Sequence, residues 1–226
     1  MNHRFLWSPL ASILGVPDRV AEIRERSLPN VPLVTHEGRK VQFYDDLVKG
    51  RVVAINFMYT RCTGVCLPST THIAQAQKDL DERIAKQVTF LSISLDGEKD
   101  TPERLNEFAK RHGAGPRWTF LTGKDSDIEI LRRKLGAYER DPKVDADRSQ
   151  HAALVIMGNE PEGRWQAISA LVHPIRIRQA IERTVLPPSK WATGLAVVNE
   201  VPFERSPASF KLVQPVDLSR IPALTP

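Results

Sequence analysis

The fold of this chain is built around the stretch Val52-Val53-Ala54-Ile55-Asn56-Phe57-Met58-Tyr59-Thr60-Arg61-Cys62-Thr63-Gly64-Val65-Cys66. Residues 52 to 58 are a nearly continuous apolar run, which is typical of a strand buried on both faces of a sheet. After the cysteines, apolar residues recur at helical spacing in a helix-like stretch, about 69 to 86. We therefore predict that the 2 cysteines of the chain lie at a strand-to-helix turn.

Other apolar runs alternate with helical patterns along the chain. Strand-like segments lie at 31–34, 40–43, 88–95, 118–121, 152–157 and 165–171, and helices are predicted at 101–113, 125–135 and 173–185. Such alternation predicts a central sheet with parallel pairs and with helices on both faces. The last two strands form an antiparallel hairpin that precedes a helix. This order indicates an α/β, thioredoxin-like fold with a central mixed sheet flanked by helices.

Composition separates two extensions from the core of the chain. Residues 1–28 are expected to form an N-terminal arm, and 29–186 the thioredoxin-like domain. Prolines recur without periodicity in 187–226, so we expect a Pro-rich C-terminal extension that wraps the domain or stays mobile. The charged stretch 141–150, just before the strand at 152–157, is expected to be irregular.

Charge and hydropathy weigh against some classes of protein. Lys plus Arg number 32 and Asp plus Glu 27, which gives a net charge of +5. The basic residues are scattered and no basic block is interleaved with aromatics, so we expect no nucleic-acid partner. No apolar run approaches the roughly 20 residues that span a bilayer. The N-terminus, whose apolar stretch is interrupted by Pro9, is a poor signal peptide, and a truncated or misassigned leader is the alternative to an arm.

Two thiols four residues apart at the start of a helix can serve two kinds of chemistry. Unpaired backbone N–H groups and the positive end of the helix dipole favour thiolate over thiol at Cys62 and Cys66. Spacing from i to i+4 in a helical turn places both sulfurs on one face. This suits a reversible disulfide, or two ligands for a soft ion such as Cu(I). The alternative without a function is a structural disulfide or two inert thiols. A disulfide between Cys62 and Cys66 would close so small a loop that it would stabilise the fold only modestly.

A site of two sulfurs would be incomplete for Cu(II), which prefers an imidazole as well. Among the 6 histidines of the chain, His151 is the best placed. It lies at the lip of the predicted strand 152–157, and in a thioredoxin-like fold the loop entering this strand lies against the cysteine turn. Other histidines are expected on the far side of a helix, at helix ends or in a turn: His72, His112, His173 and His36.

Several stretches, taken in order, resemble the Sco/SenC family, which are thioredoxin-fold copper proteins of cytochrome c oxidase assembly. The apolar strand, Tyr59-Thr60-Arg61-Cys62 and Cys66 are similar to the family's strand, aromatic-Thr turn and C-x-x-x-C. The family's S-x-D-P-x-R-D-T-P-E is similar to Ser92-Ile93-Ser94-Leu95-Asp96-Gly97-Glu98-Lys99-Asp100-Thr101-Pro102-Glu103, and its G-L-T-G to Phe120-Leu121-Thr122-Gly123. The position of its metal histidine is matched by Ser149-Gln150-His151. The resemblance covers about residues 30 to 185.

The chain also departs from the family pattern. Leu67 stands where the family commonly has Pro directly after the second Cys, Ala152 where it often has Ser, and Gly97 where it has the proline of an Asp-Pro pair. These differences concern the sub-type and the partner rather than the metal. The ligands that the resemblance implies are all present: Cys62, Cys66 and His151.

The resemblance implies a copper-binding assembly factor. Cys62 and Cys66 would bind Cu(I), and His151 would complete a site that also holds Cu(II). The 29–186 unit would then be a copper-binding domain, and its acceptor the dinuclear copper centre of a cytochrome c oxidase subunit, or another copper or thiol protein. The family also implies the cell envelope, facing the periplasm, with membrane association as a possibility. We expect a monomer.

Two other functions remain open from the residues. In a thiol–disulfide oxidoreductase Cys62 would attack and Cys66 would resolve the mixed disulfide, so that the cysteines of a partner protein are reduced. In a thiol peroxidase Thr63-Gly64-Val65-Cys66 would supply a T-x-x-C, although Tyr59 stands where peroxiredoxins have a proline. His151 discriminates the first two functions, since copper retention should depend on it and dithiol exchange should largely survive its loss.

Overall fold

The computed structural model describes residues 28–62, 64–147, 153–187 and 189. Its strands are β1 (Pro32–Thr35), β2 (Lys40–Gln42), β3 (Val52–Met58), β4 (Val88–Ser94), β5 (Trp118–Thr122), β6 (Leu154–Asn159) and β7 (Arg164–Ser169). Its α-helices are α1 (Cys66–Lys78), α2 (Glu82–Ala85), α3 (Pro102–Arg111), α4 (Asp125–Lys134), α5 (Pro142–Ala146) and α6 (Pro174–Val185). A π-helical turn at Phe43–Val48 and a 3-10 turn at Glu160–Glu162 complete the described elements.

The strands form one mixed sheet of 7 strands in the order β2-β1-β5-β4-β3-β6-β7. β3 and β5 both pair with β4 in parallel. β1 pairs with β5, and β6 with β3, in antiparallel fashion, and the hairpin partners β2 and β7 close the two edges. The prediction of a thioredoxin-like mixed sheet flanked by helices is thereby confirmed.

Side chains of β3 alternate between two hydrophobic clusters on opposite faces of the sheet. Ala54 and Met58 pack in the cluster that α1, α3 and α6 cover. Val53, Ile55 and Phe57 pack in the cluster covered by α4 and the π-helical turn. Burying such a side chain contributes about 1.5 to 3 kcal/mol. Because both faces are covered, the continuous apolar run is accounted for.

The single helix predicted at about 69 to 86 is wrong in its extent. α1 begins earlier, at Cys66, and ends at Lys78, and the short helix α2 follows. Asp81 separates the two helices, because its side chain accepts a hydrogen bond from the N–H of Arg83 at 2.9 Å and caps a new helix. Leu80 and Ile84 still face one core cluster, which is why helical spacing continued across the break.

The stretch after residue 140 is also more regular than expected. Asp141 accepts a hydrogen bond from the N–H of Lys143 at 2.9 Å and Pro142 occupies the first turn, so α5 forms where an irregular segment was predicted. Most of the proposed arm (1–28) and extension (187–226) lies outside the described residues, so these domain boundaries stay predictions. Among the helices described, none combines the length and apolar character that crossing a membrane requires.

Candidate metal and redox site

The cysteine turn leaves the sheet at the carboxyl end of β3. The N–H of Leu95 donates to the carbonyl of Met58 at 2.7 Å, which extends the pairing with β4 by one residue. The chain then turns, and the N–H of Cys62 donates to the carbonyl of Tyr59 at 3.2 Å. This is the edge at which open α/β sheets place their sites. The strand-to-helix position predicted for both cysteines is confirmed.

Cys62 and Cys66 are both unoxidised thiols, and they differ in exposure. Cys66 is the first residue of α1 and its surface is only 2% exposed. Cys62 lies before the helix and is half-buried. The residue that precedes the helix, Val65, offers no side-chain cap, and the backbone N–H groups of Gly64 and Cys66 donate to the Cys62 sulfur. Cys62 is therefore within reach of a partner protein, whereas Cys66 is buried.

The surroundings of the two thiols move their pKa values in opposite directions. Burial raises the pKa of Cys62, but hydrogen bonds from the Cys66 thiol, from the backbone N–H groups of Cys66 and Gly64 and from the Tyr59 hydroxyl outweigh it, so that the pKa of Cys62 lies below its usual value. Burial, followed by the hydrogen bond to Cys62, raises the pKa of Cys66. Cys62 is thus the more acidic thiol of the pair and the first to lose its proton.

Tyr59 acts as a hydrogen-bond donor in this site. Burial, followed by the interaction with Cys62, raises the pKa of Tyr59 to about 12. Its hydroxyl therefore keeps its proton at neutral pH and donates it toward the Cys62 sulfur. In the sequence, Tyr59 was matched to the aromatic-Thr turn of the Sco/SenC family and compared with a peroxiredoxin proline, and it was given no role at the sulfurs. Its position three residues before Cys62, across one turn, was the signal available.

The buried carboxylate of Asp100 holds the cysteine turn in place. Asp100 has no exposed surface. It accepts hydrogen bonds from the N–H of Thr60 at 2.9 Å, from the Thr60 hydroxyl and from the Ser94 hydroxyl at 2.6 Å. The loop between β4 and α3 is in this way tied to the residues that lead into Cys62. Sequence analysis did not find this contact, which spans 40 positions.

Arg61 has a partner that sequence reasoning missed. The Arg61 guanidinium contacts the Asp96 carboxylate at 2.8 Å. The Arg61 side chain is 50% exposed and that of Asp96 is 10% exposed. One face of the cysteine turn is therefore held to the same loop that carries Asp100.

His151 lies outside the described residues, and so its place at the site stays a prediction. The register of the neighbouring strand bears on it. β6 runs antiparallel to β3, with Val155 opposite Asn56, so the chain enters β6 at the edge where the cysteine turn leaves β3. Ala153 packs against the same cluster as Tyr59 and Cys62. Ala153, directly before β6, is thus on the side of the sheet edge that the site occupies.

The described histidines have other contacts, as expected. His72 Nδ1 lies 3.2 Å from the carbonyl of Ala170, on the α6 side of α1. His36 Nδ1 accepts from the N–H of Phe120 at 3.1 Å in the turn after β1. His173 caps α6, and His112 ends α3 with its ring 4.1 Å from that of Phe108. Among the described residues, the hydrogen-bond and ring partners of these four histidines do not include a cysteine.

The donor set fits a soft, thiophilic ion. The described residues alone hold no cluster of three or more His, Cys, Asp and Glu side chains suited to a metal. The pair Cys62 and Cys66 supplies two sulfurs in hydrogen-bonding contact, which is the softest donor pair a protein offers. An added ligand would have to come from a segment such as the one that carries His151. The same sulfurs could instead join as a disulfide.

Comparison with known proteins identifies relatives of this chain. The model of the family SCO1/SenC matches residues 26–186. A SCO1 protein homolog of Bacillus subtilis is 31% identical over 132 residues, which are 57% of this chain and 65% of that protein. The chain spans 51% to 65% of the length of the first relatives it matches.

Solved structures show the same fold. A SCO1/SenC family lipoprotein of Bacillus anthracis matches with a TM-score of 0.57 and 24% identity, over 71% of this chain and 95% of that chain. ScoI of Bradyrhizobium japonicum, solved with copper bound, matches with a TM-score of 0.51 and 24% identity, over 70% and 99%. At this identity the likeness establishes the fold of the described domain.

Proposed function

Because this chain belongs to the SCO1/SenC family, we propose that it is a copper-binding assembly factor that delivers copper to the dinuclear copper centre of a cytochrome c oxidase subunit. Cys62, Cys66 and His151 are the proposed ligands. The observation that carries the proposal is the pair of cysteines on one turn at the sheet edge, with Cys62 the more acidic thiol and within reach of a partner. A family relative, ScoI of Bradyrhizobium japonicum, holds copper in its structure.

The unequal exposure of the two thiols suits delivery rather than storage. Two thiolates favour Cu(I) over the harder ions of the cell. Binding of the ion replaces the proton that Cys66 holds, so uptake releases this proton to solvent. An acceptor thiolate can approach Cys62 from solvent. Cys66 is 2% exposed and would therefore be the last ligand to dissociate from the ion. Transfer then proceeds by exchange of one sulfur ligand at a time, with no change in oxidation state.

His151 is proposed as the ligand that admits Cu(II). Its support is the strand register, since β6 begins beside the end of β3 and Ala153 shares a cluster with Cys62. An imidazole added to two thiolates is a donor set that suits Cu(II) as well as Cu(I). We propose the remaining context on the family alone: a copper-binding domain at 29–186, a location in the cell envelope facing the periplasm with membrane association, and a monomer.

Competition with a chromogenic Cu(I) chelator tests the proposal. The reduced protein should hold one copper, and Cys62→Ser and Cys66→Ser should each lose it to the chelator. In Cu(II), a thiolate-to-copper charge-transfer band should appear in the wild type and vanish in His151→Ala. His72→Ala is the matched control, because the His72 ring contacts Ala170 and should leave the band unchanged. A reduced wild type that does not compete with the chelator would refute the proposal.

A second candidate function is thiol–disulfide exchange, which the unequal pKa values of the cysteines favour. The Cys62 thiolate would attack a partner disulfide and release one partner thiolate. Cys66, after losing its proton, would attack the sulfur of Cys62 and release the second. The partner gains two electrons and the protein retains a disulfide. Equilibration with glutathione measures this activity, which should be the same in wild type and His151→Ala.

The peroxidase hypothesis loses support from the structure. A peroxide-reducing cysteine must be an accessible thiolate. Cys66, the cysteine of the T-x-x-C, is 2% exposed, and burial raises its pKa. The accessible and more acidic thiol is Cys62, which does not belong to the T-x-x-C at residues 63 to 66.

A further inference from the structure

A groove of about 790 Å³ lies at the far end of α1 from the cysteine turn. The outer face of α1, the helix α2 and the turn that joins α3 to β5 form its walls. We call it the α1–α2 groove. Its apolar lining includes Ala74, Ala85 and Pro116, and its charged lining is Lys78, Glu82, Lys86, Arg111 and Arg117. The function proposed above uses none of these residues.

The charge of the groove is unbalanced. All four of its cations, Lys78, Lys86, Arg111 and Arg117, are exposed. Glu82 is the one acid in the lining, and it contacts Lys86 at 2.6 Å. Within the described ranges, no acidic side chain forms an ion pair with the three other cations. Lys78 and Arg111 lie in the last turns of α1 and α3, where a cation favours the helix dipole, but this does not account for Arg117.

Arg117 is held in a conformation that most residues avoid. Its φ of 64° is in the left-handed region, and among the described residues no other non-glycine shares it. The carbonyl of Arg117 accepts from the N–H of Phe90 at 2.8 Å, and its Nε donates to the carbonyl of Val88 at 3.2 Å. Strained backbone of this kind concentrates at functional positions. The strain keeps this cation at the groove instead of along the strand.

The wall that carries Arg117 is fixed against α1 and does not have to form on binding. Gln77 of α1 accepts from the N–H of Gly115 at 2.9 Å and donates to the carbonyl of Pro116 at 2.9 Å. A Cβ at Gly115 would stand 2.7 Å from the Gln77 side chain, so a larger residue there would displace this side chain from its two hydrogen bonds. The groove is therefore preformed, which lowers the entropic cost of binding.

We infer that the α1–α2 groove binds an acidic segment of a partner protein, one that places an apolar side chain between its carboxylates. An apolar floor with cations spread around the rim matches this chemistry, whereas a small anion would need donors that converge on one point. The exposed side of α1 continues from Lys78 through Ala74 and Thr71 to Leu67, a distance of about 16.5 Å. Leu67 is 52% exposed and follows Cys66 directly. A segment bound in the groove thus lies on a helix face that leads to the cysteine turn.

Titration of the full-length, reduced protein with one defined peptide tests this inference. The probe is an acetylated, amidated 12-residue peptide made of Glu, Asp and Leu. Nitrogen–proton correlation spectra should shift at Ala74, Lys78, Gly115 and Arg117, and fluorescence anisotropy gives the Kd. Lys78→Glu with Arg111→Glu should raise the Kd at least tenfold. The matched control, Lys40→Glu with Lys134→Glu, makes the same change in net charge at exposed residues of β2 and α4 and should raise it less than threefold.

The variant Arg117→Gly tests the charge of Arg117 without disturbing the fold. Glycine adopts the left-handed conformation without strain, so this variant should keep its thermal midpoint while it binds the peptide several-fold more weakly. Equal weakening in the control pair would overturn the inference, as would displacement of the peptide by equimolar inorganic phosphate, equal binding of a Gln-for-Glu peptide, or no binding. The measurement needs no copper, so its failure leaves the proposed copper site untouched.

Discussion

Replacing Asp145 with alanine should destabilise the fold by about 3 to 5 kcal/mol, the usual cost of leaving one partner of a buried ion pair uncompensated. Asp145 attaches α5 to α4 through Arg132, and the two side chains are 7% and 9% exposed. Two contacts of 2.5 and 2.7 Å join the guanidinium to the carboxylate. The N–H of Glu139 also donates to it at 2.8 Å. Since α5 buries no apolar side chain, the Asp145 carboxylate is its main attachment to α4.

Urea unfolding followed by circular dichroism measures the loss, which corresponds to a fall of about 6 to 20 °C in the thermal midpoint. Glu129→Ala is the control, because Glu129 also contacts Arg132 but its side chain is 45% exposed, so its loss should cost less than about 1 kcal/mol. Arg132→Met combined with Asp145→Leu should recover most of the stability, since no buried charge remains. An Asp145→Ala protein no less stable than the Glu129→Ala control would refute the reasoning.

Three further predictions concern acid, the cysteine turn and the thiols. The Arg132 guanidinium holds the pKa of Asp145 well below its usual range, so the stability it contributes is present above the unfolded-state pKa of about 4 and is lost as the pH falls below it; urea midpoints at pH 7 and pH 3 should differ less in Asp145→Asn than in wild type. Asp100→Ala leaves donors of Thr60 and Ser94 unpaired and should cost about 2 to 4 kcal/mol, measured by the same unfolding, whereas an unchanged midpoint would show that the carboxylate does not brace the turn. Limiting iodoacetamide at pH 7 should label Cys62 many times faster than the buried Cys66. Equal labelling of the two in peptide mass spectrometry would contradict the assignment of Cys62 as the more acidic and accessible thiol.

Local pattern predicted the parts of the fold that depend on neighbouring residues. The apolar run at 52–58 predicts β3, because alternate residues bury on opposite faces and leave no polar period. Thr101 and Pro102 predict the start of α3, and the structure shows Thr101 accepting from the N–H of Arg104. In both cases the determining groups lie within one short stretch of the chain.

Contacts between distant residues account for what the sequence did not predict. α5 is short and depends on the ion pair with Arg132, so the sequence shows no helical spacing of apolar residues that would predict it. The break between α1 and α2 is hidden because Leu80 and Ile84 face the same core. At the site, the positions of the two cysteines were predictable from spacing. The contact of Asp100 with Thr60 was not, since it requires the β4–α3 loop to lie under the turn.

The central claim is that Cys62, Cys66 and His151 together bind copper. X-ray absorption at the copper K-edge tests it most directly, on protein loaded with Cu(I) and with Cu(II). The account predicts two sulfur ligands in both states and an imidazole nitrogen in the Cu(II) protein that disappears in His151→Ala. A Cu(II) spectrum without sulfur, or one that is identical in wild type and His151→Ala, would contradict it.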